Sequence, residues 1–460
     1  MKPLLVVDVV GLSQELIGPD TPHIARLVER GVARPLEPIV PAVTCSVQAT
    51  FLTGRMPKEH GIVGNGWYFR ELAEVWLWRQ SNHLIESPQI WQLGRERDPA
   101  FTSANLFWWY NMYSAADWSV TPRPMYPADG RKLPDVYSAP GNLRHELQEE
   151  LGQFPLFNFW GPAADIRSSR WIARATLRVL KKYSPTLTLA YLPHLDYDLQ
   201  RFGPDREHPR VRQALRDVDA LCGELIDFAA SSQRRIILLS EYGISRVSHA
   251  VHINRELRRA GWLAVREELG RELLDAGASQ AFAVADHQVA HVYVKQPGLI
   301  PEVAARLRAL DGVEQVLDRA GQAELGLSHA RAGELVAISR ADRWFSYYYW
   351  LEPSSAPDFA SCVEIHRKPG YDPVELFLDP KLPLPKASIA WRLLKKTLGF
   401  RTLMDVISPD DDSLVRGSHG RLTGDERAGP VFISSEPGLS GSGSLHASDV
   451  LGLMLAHVFD

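Results

Sequence analysis

The chain opens on a short apolar run that is interrupted by a single carboxylate. Residues 3–10 are rich in branched aliphatic side chains on both sides of Asp8, a pattern typical of a strand that is buried on both faces of a parallel sheet. Residues 20–32 follow with the apolar spacing of a helix and a glycine close to its end. The two patterns predict a strand followed by a helix, with Asp8 near the carboxyl end of the strand.

The same alternation recurs further along the chain. Residues 186–192 and 235–239 are short apolar runs that predict buried strands, and residues 211–231 have the apolar spacing of a long amphipathic helix. This repetition predicts an α/β fold with a doubly wound, mostly parallel sheet. Ligands bind beyond the carboxyl ends of the strands in such sheets, so we expect the functional residues in the loops at that edge.

The pattern changes after residue 255. The elements predicted in the next segment are strands at 282–284, 289–294 and 344–350 and a helix at 302–310. The elements predicted near the end are a strand at 431–434, a glycine- and serine-rich loop at 438–444 and a helix at 448–458. We therefore expect a first segment of an α/β catalytic core over residues 1–255, an inserted α+β cap over 256–400 and a closing core segment over 401–460.

The composition is that of an ordinary folded protein. Of the 460 residues, 45% are hydrophobic and 23% are charged, which excludes an intrinsically disordered chain. The formal net charge is −4, from 51 basic and 55 acidic side chains, so no overall positive field favours a nucleic acid polymer. A small-molecule substrate is expected instead.

Cysteine usage and hydropathy bear on location. Cys45, Cys222 and Cys362 are far apart in the sequence and predict reduced thiols rather than disulfides or a thiolate metal site. The N-terminus lacks the features of a signal peptide, and no stretch approaches the roughly 18 uncharged apolar residues that cross a bilayer. We therefore expect a cytoplasmic protein without integral membrane association, attached to membranes at most peripherally.

The most informative segment is PAVTCSVQATFLTGRMPKEHGIVGN, residues 41–65. It resembles the nucleophile region of the nucleotide pyrophosphatase/phosphodiesterase family of the alkaline phosphatase superfamily, in which a threonine opens a helix. The resemblance implies an alkaline phosphatase-like fold, with Thr44 as the nucleophile at the metal, Asn65 as a donor to a phosphate oxygen and Asp8 as a metal ligand. A helix N-terminus at Thr44 would favour both an alkoxide and a bound phosphate.

Three later motifs are similar to the remaining ligand motifs of that family. HLDYDLQRFGP supplies Asp196, but Gln200 stands where the family has a histidine. SEYGI places Glu241 and Tyr242 where the family has aspartate and histidine, whereas His419 in GSHG matches the last motif unchanged. The three changes shift the implied ligand set toward oxygen donors.

The resemblance implies divalent metal ions, two in number, with zinc as the family metal. Because imidazole ligands are replaced, manganese or magnesium also suits the set. Among the histidines that could compensate, we favour His366 as a metal ligand. Weaker candidates are His194, His249, His252 and the Asp286–His287 pair.

Each of these residues also has a structural alternative. Thr44 could simply cap a helix, and Asn65 could be a turn residue. Gln200 could bond to a ligand rather than be one, and Glu241 with Tyr242 could form a hydrogen-bonded pair in a site that has lost a metal. His419 could be an ordinary exposed loop histidine.

The resemblance implies a metal-dependent phosphohydrolase, a phosphodiesterase or nucleotide pyrophosphatase that acts through a phosphothreonine. A metal at Asp8 and Glu241, with Tyr242 as a candidate third ligand, is expected to activate Thr44, and a second metal at Asp196 and His419 to activate the water that hydrolyses the intermediate. One alternative keeps the fold but changes the reaction to phosphomonoester or phosphonate hydrolysis or phosphoryl transfer. Another is a non-catalytic binding protein with a degenerate metal site.

Overall fold

A nine-stranded sheet forms the centre of the computed structural model, which describes residues 1–409, 411–439, 441 and 443–460. From edge to edge its strands are Leu445–His446, Val32–Glu37, Val431–Ser434, Arg235–Leu239, Leu4–Val9, Leu187–Leu192, Ser103–Leu106, Trp118–Pro122 and Val136–Ala139. Only Val431–Ser434 and Val136–Ala139 run against the others. The predicted α/β fold with a doubly wound, mostly parallel sheet is confirmed. The loop predicted at 438–444 lies partly outside the described residues.

The first strand lies in the middle of this sheet because all its side chains are buried and all of them, apart from one carboxylate, are apolar. Leu4–Val9 pairs in parallel with Leu187–Leu192 on one side and with Arg235–Leu239 on the other. In this register Asp8 lies beside Tyr191 and Leu239. The carboxyl ends of three adjacent strands therefore meet at one edge, and the segments that follow them come together there.

Helices cover the sheet and supply the loops at its edge. Those of the core are Pro22–Arg30, Thr44–Thr53, Pro57–His60, Ile90–Arg97, Asn142–Leu151, Ile166–Tyr183, His194–Phe202, Pro209–Ser231 and Val450–Phe459. The longest, Pro209–Ser231, begins with a proline, whose fixed φ suits the first helical position, and buries the apolar face predicted for residues 211–231. Among the described residues no helix combines the length and apolarity of a membrane span.

A second sheet with its own hydrophobic core lies between the two core segments. Its antiparallel strands are Ala281–Asp286, Val289–Val294, Leu335–Ser339 and Val313–Leu317, in that spatial order. The helices of this part of the chain are Ile253–Arg259, Ile300–Arg308, Arg319–Glu324 and Pro385–Thr397. Four two-stranded pairs complete the fold: Gly66–Phe69 with Glu74–Leu77, Ala264–Glu268 with Arg271–Asp275, Ser245–Arg246 with Gly417–Ser418, and His249–Val251 with Arg343–Phe345.

The strand predicted over residues 344–350 is wrong for most of its length. Only Arg343–Phe345 is a strand, and the chain then leaves extended pairing. Consecutive side chains from Tyr347 to Trp350 are all buried, whereas a strand at a sheet surface would bury alternate ones. The rings pack against one another, with Tyr347 and Tyr348 edge to face at a centroid distance of 5.0 Å.

Candidate active site

Two buried carboxyls and an amide meet at the carboxyl edge of the central sheet. Asp8 ends the first strand and Glu241 follows Arg235–Leu239, and neither side chain is exposed. The Nε2 of Gln48 donates to Asp8 Oδ2 at 3.2 Å and to Glu241 Oε1 at 2.6 Å. The N–H of Trp109 donates to Gln48 Oε1 at 2.7 Å, and this bond fixes which end of the amide faces the carboxyls.

Burial governs the protonation of this pair. Burial raises the pKa of Asp8 to about 7, although hydrogen bonds with Glu241 and Gln48 oppose the rise. Burial and then the charge of Asp8 raise the pKa of Glu241 well above its usual value. Asp8 Oδ1 and Glu241 Oε2 are buried without a hydrogen-bond partner among the described residues. Full ionisation of both groups therefore requires a compensating positive charge.

The Thr44 hydroxyl lies beside these carboxyls. The N-cap of Thr44–Thr53 is Val43, so Thr44 is already inside the helix and the interpretation that it only caps the helix is wrong. Its Oγ1 lies 3.4 Å from the Tyr242 hydroxyl, and a hydrogen bond with Thr44 lowers the pKa of Glu241 against the larger effect of burial. The hydroxyl thus lies near a carboxyl and a phenol at a helix N-terminus.

Asn65 is held between the helix Thr44–Thr53 and the second sheet. Its Oδ1 accepts from the Cys45 N–H at 3.0 Å, and its Nδ2 donates to Asp286 Oδ1 at 3.0 Å. The Asn65 backbone N–H also donates to Asp286 Oδ2, at 2.8 Å. An amide NH₂ carries two hydrogens, so one of the two remains for a substrate oxygen.

Asp196 is surrounded by donors from the protein itself. Gln200 Nε2 donates to its Oδ2 at 2.7 Å, and the Tyr242 hydroxyl lies 3.5 Å from its Oδ1. The Tyr371 hydroxyl in turn donates to Gln200 Oε1 at 2.9 Å, which turns the amide nitrogen of Gln200 toward the carboxyl. Burial raises the pKa of Asp196 to about 7.

Four stacked rings lie over this network. The centroid distances are 3.5 Å from Tyr242 to His419, 3.7 Å from His419 to His287 and 3.6 Å from His287 to Tyr371. His419 is 2% exposed, so the interpretation of an exposed loop histidine is wrong. Its Nδ1 donates to the Ala42 carbonyl at 2.8 Å, which leaves Nε2 as an unprotonated nitrogen without a partner among the described residues. Burial lowers its pKa well below the usual value.

The other predicted histidines have different surroundings. Burial first, and then the charges of Lys132, Arg79 and Arg123, lower the pKa of His366 to about 4, and a cationic environment disfavours a metal ion. His194 is buried, with Nε2 4.0 Å from Asp217. The remaining two are His249, which lies 3.8 Å from Asp412, and His252, whose Nδ1 lies 2.6 Å from Ser346 Oγ.

Several residues of this site are missing from the sequence prediction or ranked low in it. Gln48 and Tyr371 are absent from it, and the Asp286–His287 pair stands behind His366. Asp286 ends the strand Ala281–Asp286 and His287 begins the turn to Val289–Val294, with a φ of 61°, which is uncommon for a residue other than glycine. Polar residues at the junction of two largely apolar strands were the signal for this part of the site.

Comparisons with known proteins agree with the fold and the motifs. A family model described as type I phosphodiesterase/nucleotide pyrophosphatase matches residues 4–372, which is more than half of the chain. An uncharacterized pyrophosphatase/phosphodiesterase of Schizosaccharomyces pombe is 28% identical over 233 residues, which is 50% of this chain and 41% of that protein. The chain thus spans less than half the length of this relative.

Solved structures share the fold at low sequence identity. Phosphonoacetate hydrolase from Sinorhizobium meliloti 1021, in complex with phosphonoformate, superposes with a TM-score of 0.61 at 14% identity, over 99% of this chain and 95% of that chain. Murine ectonucleotide pyrophosphatase/phosphodiesterase 5, as an inactive threonine-to-alanine variant with AMP, gives 0.59 at 14% identity, over 100% and 95% of the two chains. These neighbours show an alkaline phosphatase-like fold. By its match over residues 4–372, the chain belongs to the type I phosphodiesterase/nucleotide pyrophosphatase family.

Proposed function

We propose that this chain hydrolyses phosphodiester or pyrophosphate bonds of small molecules, with Thr44 as the nucleophile. The convergence of Thr44, two carboxyls, Asn65 and His419 in one buried place carries the proposal. Family membership supports it, as does the inactivity of the threonine-to-alanine variant of the murine neighbour. The free thiols of Cys45, Cys222 and Cys362 support the cytoplasmic location that the sequence predicts.

In the first half of the proposed reaction, Thr44 Oγ1 attacks phosphorus. A bond from Thr44 to phosphorus forms as the bond to the leaving oxygen breaks, and Glu241 in its carboxylate form accepts the proton of the hydroxyl. The free N–H of the Asn65 amide donates to a non-bridging phosphoryl oxygen, where negative charge develops. The leaving group departs with a proton from solvent.

In the second half, water hydrolyses the covalent intermediate, in which the phosphoryl group on Thr44 still carries the remaining substituent of the substrate. The unprotonated Nε2 of His419 is the group that accepts a proton from the attacking water, since Nδ1 is committed to the Ala42 carbonyl. The water oxygen becomes bonded to phosphorus, the bond to Thr44 breaks, and Thr44 recovers its proton. The depressed pKa of His419 keeps this nitrogen free at neutral pH.

The residues at the first carboxyl pair fit one divalent cation. Asp8 Oδ1 and Glu241 Oε2 are buried acceptors without partners among the described residues, and Thr44 would add a third oxygen. No group of three or more His, Cys, Asp or Glu in the described part of the chain is arranged for a metal ion, so the hydroxyl is required to complete the set. When bound, the cation supplies positive charge that lowers the pKa of the hydroxyl and of both carboxyls.

The residues at Asp196 do not fit a second zinc-type ion in the same way. Gln200 and Tyr242 direct donors toward the carboxyl, where a metal ligand would present a lone pair. We therefore propose one cation in place of the two that the resemblance implies. Elemental analysis of the purified protein is expected to find one equivalent of a divalent metal, and two equivalents would contradict this count.

A substrate panel tests the reaction class. We expect faster hydrolysis of bis(p-nitrophenyl) phosphate than of p-nitrophenyl phosphate or of a phosphonate substrate. Thr44→Ala is expected to abolish turnover, and acid quenching of the wild type is expected to trap the p-nitrophenyl phosphoryl group on the peptide that contains Thr44. Preference for the monoester or the phosphonate would favour the alternative reaction on the same fold. Residual turnover in Thr44→Ala equal to that of the wild type would reject the nucleophile.

A further inference from the structure

An excursion of the chain between the site residues Tyr371 and His419 has an unusual surface. Residues 380–405 leave the body of the protein and return to it, and the Asp379 N–H donates to the Val406 carbonyl at 2.8 Å across the base. The helix Pro385–Thr397 within this excursion contains no buried residue. This segment is therefore an appendage whose surface is almost all available to a partner.

The helix presents its apolar face outward. Ala387, Trp391, Leu394 and Leu398 follow the spacing i, i+4, i+7 and i+11 and share one face. The last three are 55%, 48% and 64% exposed. The half-buried side of the helix carries mainly polar residues, Ser388, Arg392 and Lys395 together with Ile389, and Arg392 Nε donates to Asp405 Oδ1 at 2.6 Å. An ordinary surface helix has the reverse orientation.

More apolar side chains flank the helix at both ends. Leu384 is 79% exposed, Phe400 is 63% exposed and Leu403 is 52% exposed. Large apolar side chains that are exposed together mark an interaction site, whereas single ones scattered over a surface are ordinary. We call Leu384, Trp391, Leu394, Leu398 and Phe400 the apolar strip.

The same segment is strongly basic. Residues 381–401 contain six basic side chains and no acidic one, in a chain whose formal net charge is −4. The basic residues are Lys381, Lys386, Arg392, Lys395, Lys396 and Arg401. Apolar and cationic side chains on one exposed helix form the pattern of helices that lie in the interface of an anionic bilayer.

We propose that the apolar strip docks this protein on the surface of a bilayer that contains anionic lipids. Trp391 and the leucines would enter the boundary between headgroups and acyl chains, and the lysines and arginines would face the lipid headgroups. A second copy of this chain is a poorer occupant, because pairing two such helices would bring two clusters of positive charge together. The helix is too short and too charged to cross the bilayer.

Vesicle cosedimentation tests the proposal without any enzymatic readout, so its outcome is independent of the proposed function. The probes are vesicles of phosphatidylcholine alone and vesicles of equal parts phosphatidylcholine and phosphatidylglycerol. We expect the wild type to bind the anionic vesicles more tightly. We also expect this binding to weaken as salt rises from about 0.1 M to about 1 M, where the Debye length falls from about 10 Å to about 3 Å.

Two sets of substitutions separate the apolar and the electrostatic contributions. Trp391→Glu, Leu394→Glu and Leu398→Glu together are expected to weaken binding to anionic vesicles by on the order of tenfold or more. Lys386→Glu, Lys396→Glu and Arg401→Glu together are expected to remove the preference for anionic over neutral vesicles. The matched control is the double substitution Leu72→Glu and Leu269→Glu. These leucines lie outside the excursion and are 61% and 103% exposed, so vesicle binding should be unchanged.

A deletion variant guards against misfolding of the substituted proteins. Joining residues 379 and 406 through a short Gly-Ser linker removes the excursion, and the contact at its base makes the two ends adjacent. Loss of vesicle binding with an unchanged thermal unfolding midpoint supports the proposal. Vesicle binding by the deletion variant equal to that of the wild type would overturn it. The proposal would also be overturned if the wild type did not bind anionic vesicles but formed a dimer that the apolar substitutions dissociate.

Discussion

At the residue scale, Gln200 and Tyr242 stand where the resemblance implies imidazoles. They supply hydrogen-bond donors to the site in place of lone pairs. An imidazole that binds a metal offers a lone pair, whereas the Gln200 amide nitrogen and the Tyr242 hydroxyl offer hydrogens to Asp196. Donors of this kind stabilise a carboxylate without a cation. This local exchange is the physical basis for expecting one metal ion rather than two.

Asp286 is predicted to act as a positioning residue through Asn65. Asp286→Asn replaces one acceptor oxygen with a donor that faces the Asn65 amide, so Asn65 loses its orientation toward the phosphoryl group. We expect kcat to fall by about tenfold to hundredfold with KM changed much less. Steady-state kinetics with the diester measures the split. The control Asp311→Asn removes an exposed carboxyl bonded to Arg340 and should leave both constants unchanged; equal losses in the two variants would contradict the assignment.

His60 gives a separate prediction, about the stability of the protein in acid. Its Nδ1 accepts from the Ile62 N–H and its Nε2 lies 3.0 Å from Thr50 Oγ1, and burial, as the largest cause, lowers its pKa to about 3. The folded state keeps His60 neutral while the unfolded state binds a proton below about pH 6.5. Its contribution to stability is therefore present above pH 6.5 and is lost as the pH falls toward 3.

Urea unfolding at several pH values measures this contribution. His60→Gln is expected to reduce the slope of unfolding free energy against pH between 6.5 and 4 by up to about 1.4 kcal/mol per pH unit. The exposed His145 supplies the control, since His145→Gln removes a histidine without a buried neutral form. A His60→Gln slope identical to that of the wild type would contradict the prediction.

At the element scale, the short pair of Ser245–Arg246 with Gly417–Ser418 holds the closing segment against the core and so places His419. A Cβ on Gly417 would lie 2.2 Å from the Leu199 carbonyl oxygen, a contact that the helix backbone cannot relieve cheaply. Gly417→Ala is expected to unfold at a lower temperature and to lose activity, because the strand must shift and carry His419 with it.

A second glycine provides the matched comparison. A Cβ on Gly452, in the helix Val450–Phe459, would meet open space. Gly452→Ala is expected to stabilise the protein by about 0.5–1 kcal/mol, since alanine loses less backbone entropy than glycine on entering a helix. Thermal unfolding compares the two variants directly, and a Gly417→Ala protein as stable as Gly452→Ala would show that the closing strand is not tightly held.

Most helices and strands could be predicted from the sequence, because their apolar residues recur with the period of the element. Leu4–Val9, Arg235–Leu239 and Pro209–Ser231 have apolar patterns that match their burial. The aromatic run at 344–350 misled because apolar density without alternation does not distinguish a strand from a buried irregular segment. The edge strands of the sheet were harder to predict. Leu445–His446 has only two residues, and its pairing depends on Val32–Glu37, which is distant in the sequence.

At the scale of the whole molecule, the site is assembled from parts that no local pattern relates. The ring stack takes Tyr242 from the core, His287 from the second sheet and His419 from the closing segment. Sequence motifs located the core members because each follows a strand or opens a helix. They did not locate Tyr371 and placed the Asp286–His287 pair behind His366, since only the packing of the second sheet on the core brings these side chains to the site.

The charge balance at the sheet centre gives the final prediction, in which one substitution has opposite effects with and without a cation. Burial raises the pKa of Asp8 to about 7, so the folded state resists its ionisation, and stability is lost as the pH rises from the unfolded pKa toward that value. In cation-free protein at pH 8, Asp8→Asn is therefore expected to raise the free energy of unfolding. A divalent cation at one hundred times its Kd should add about 2.7 kcal/mol to the wild type and little to this variant.

Urea unfolding with a chelator and with added magnesium, manganese or zinc measures both effects. Asp135 is the matched control, because burial raises its pKa but the stronger combined hydrogen bonds from Arg144, Val136 and Gln148 lower it overall. Asp135→Asn should therefore destabilise the protein at pH 8 and keep the full response to the cation. If Asp8→Asn retained that response, the cation would have to bind elsewhere, because Asp8 Oδ1 and Glu241 Oε2 are the acceptors proposed to hold it, and in the described part of the chain no donor satisfies them.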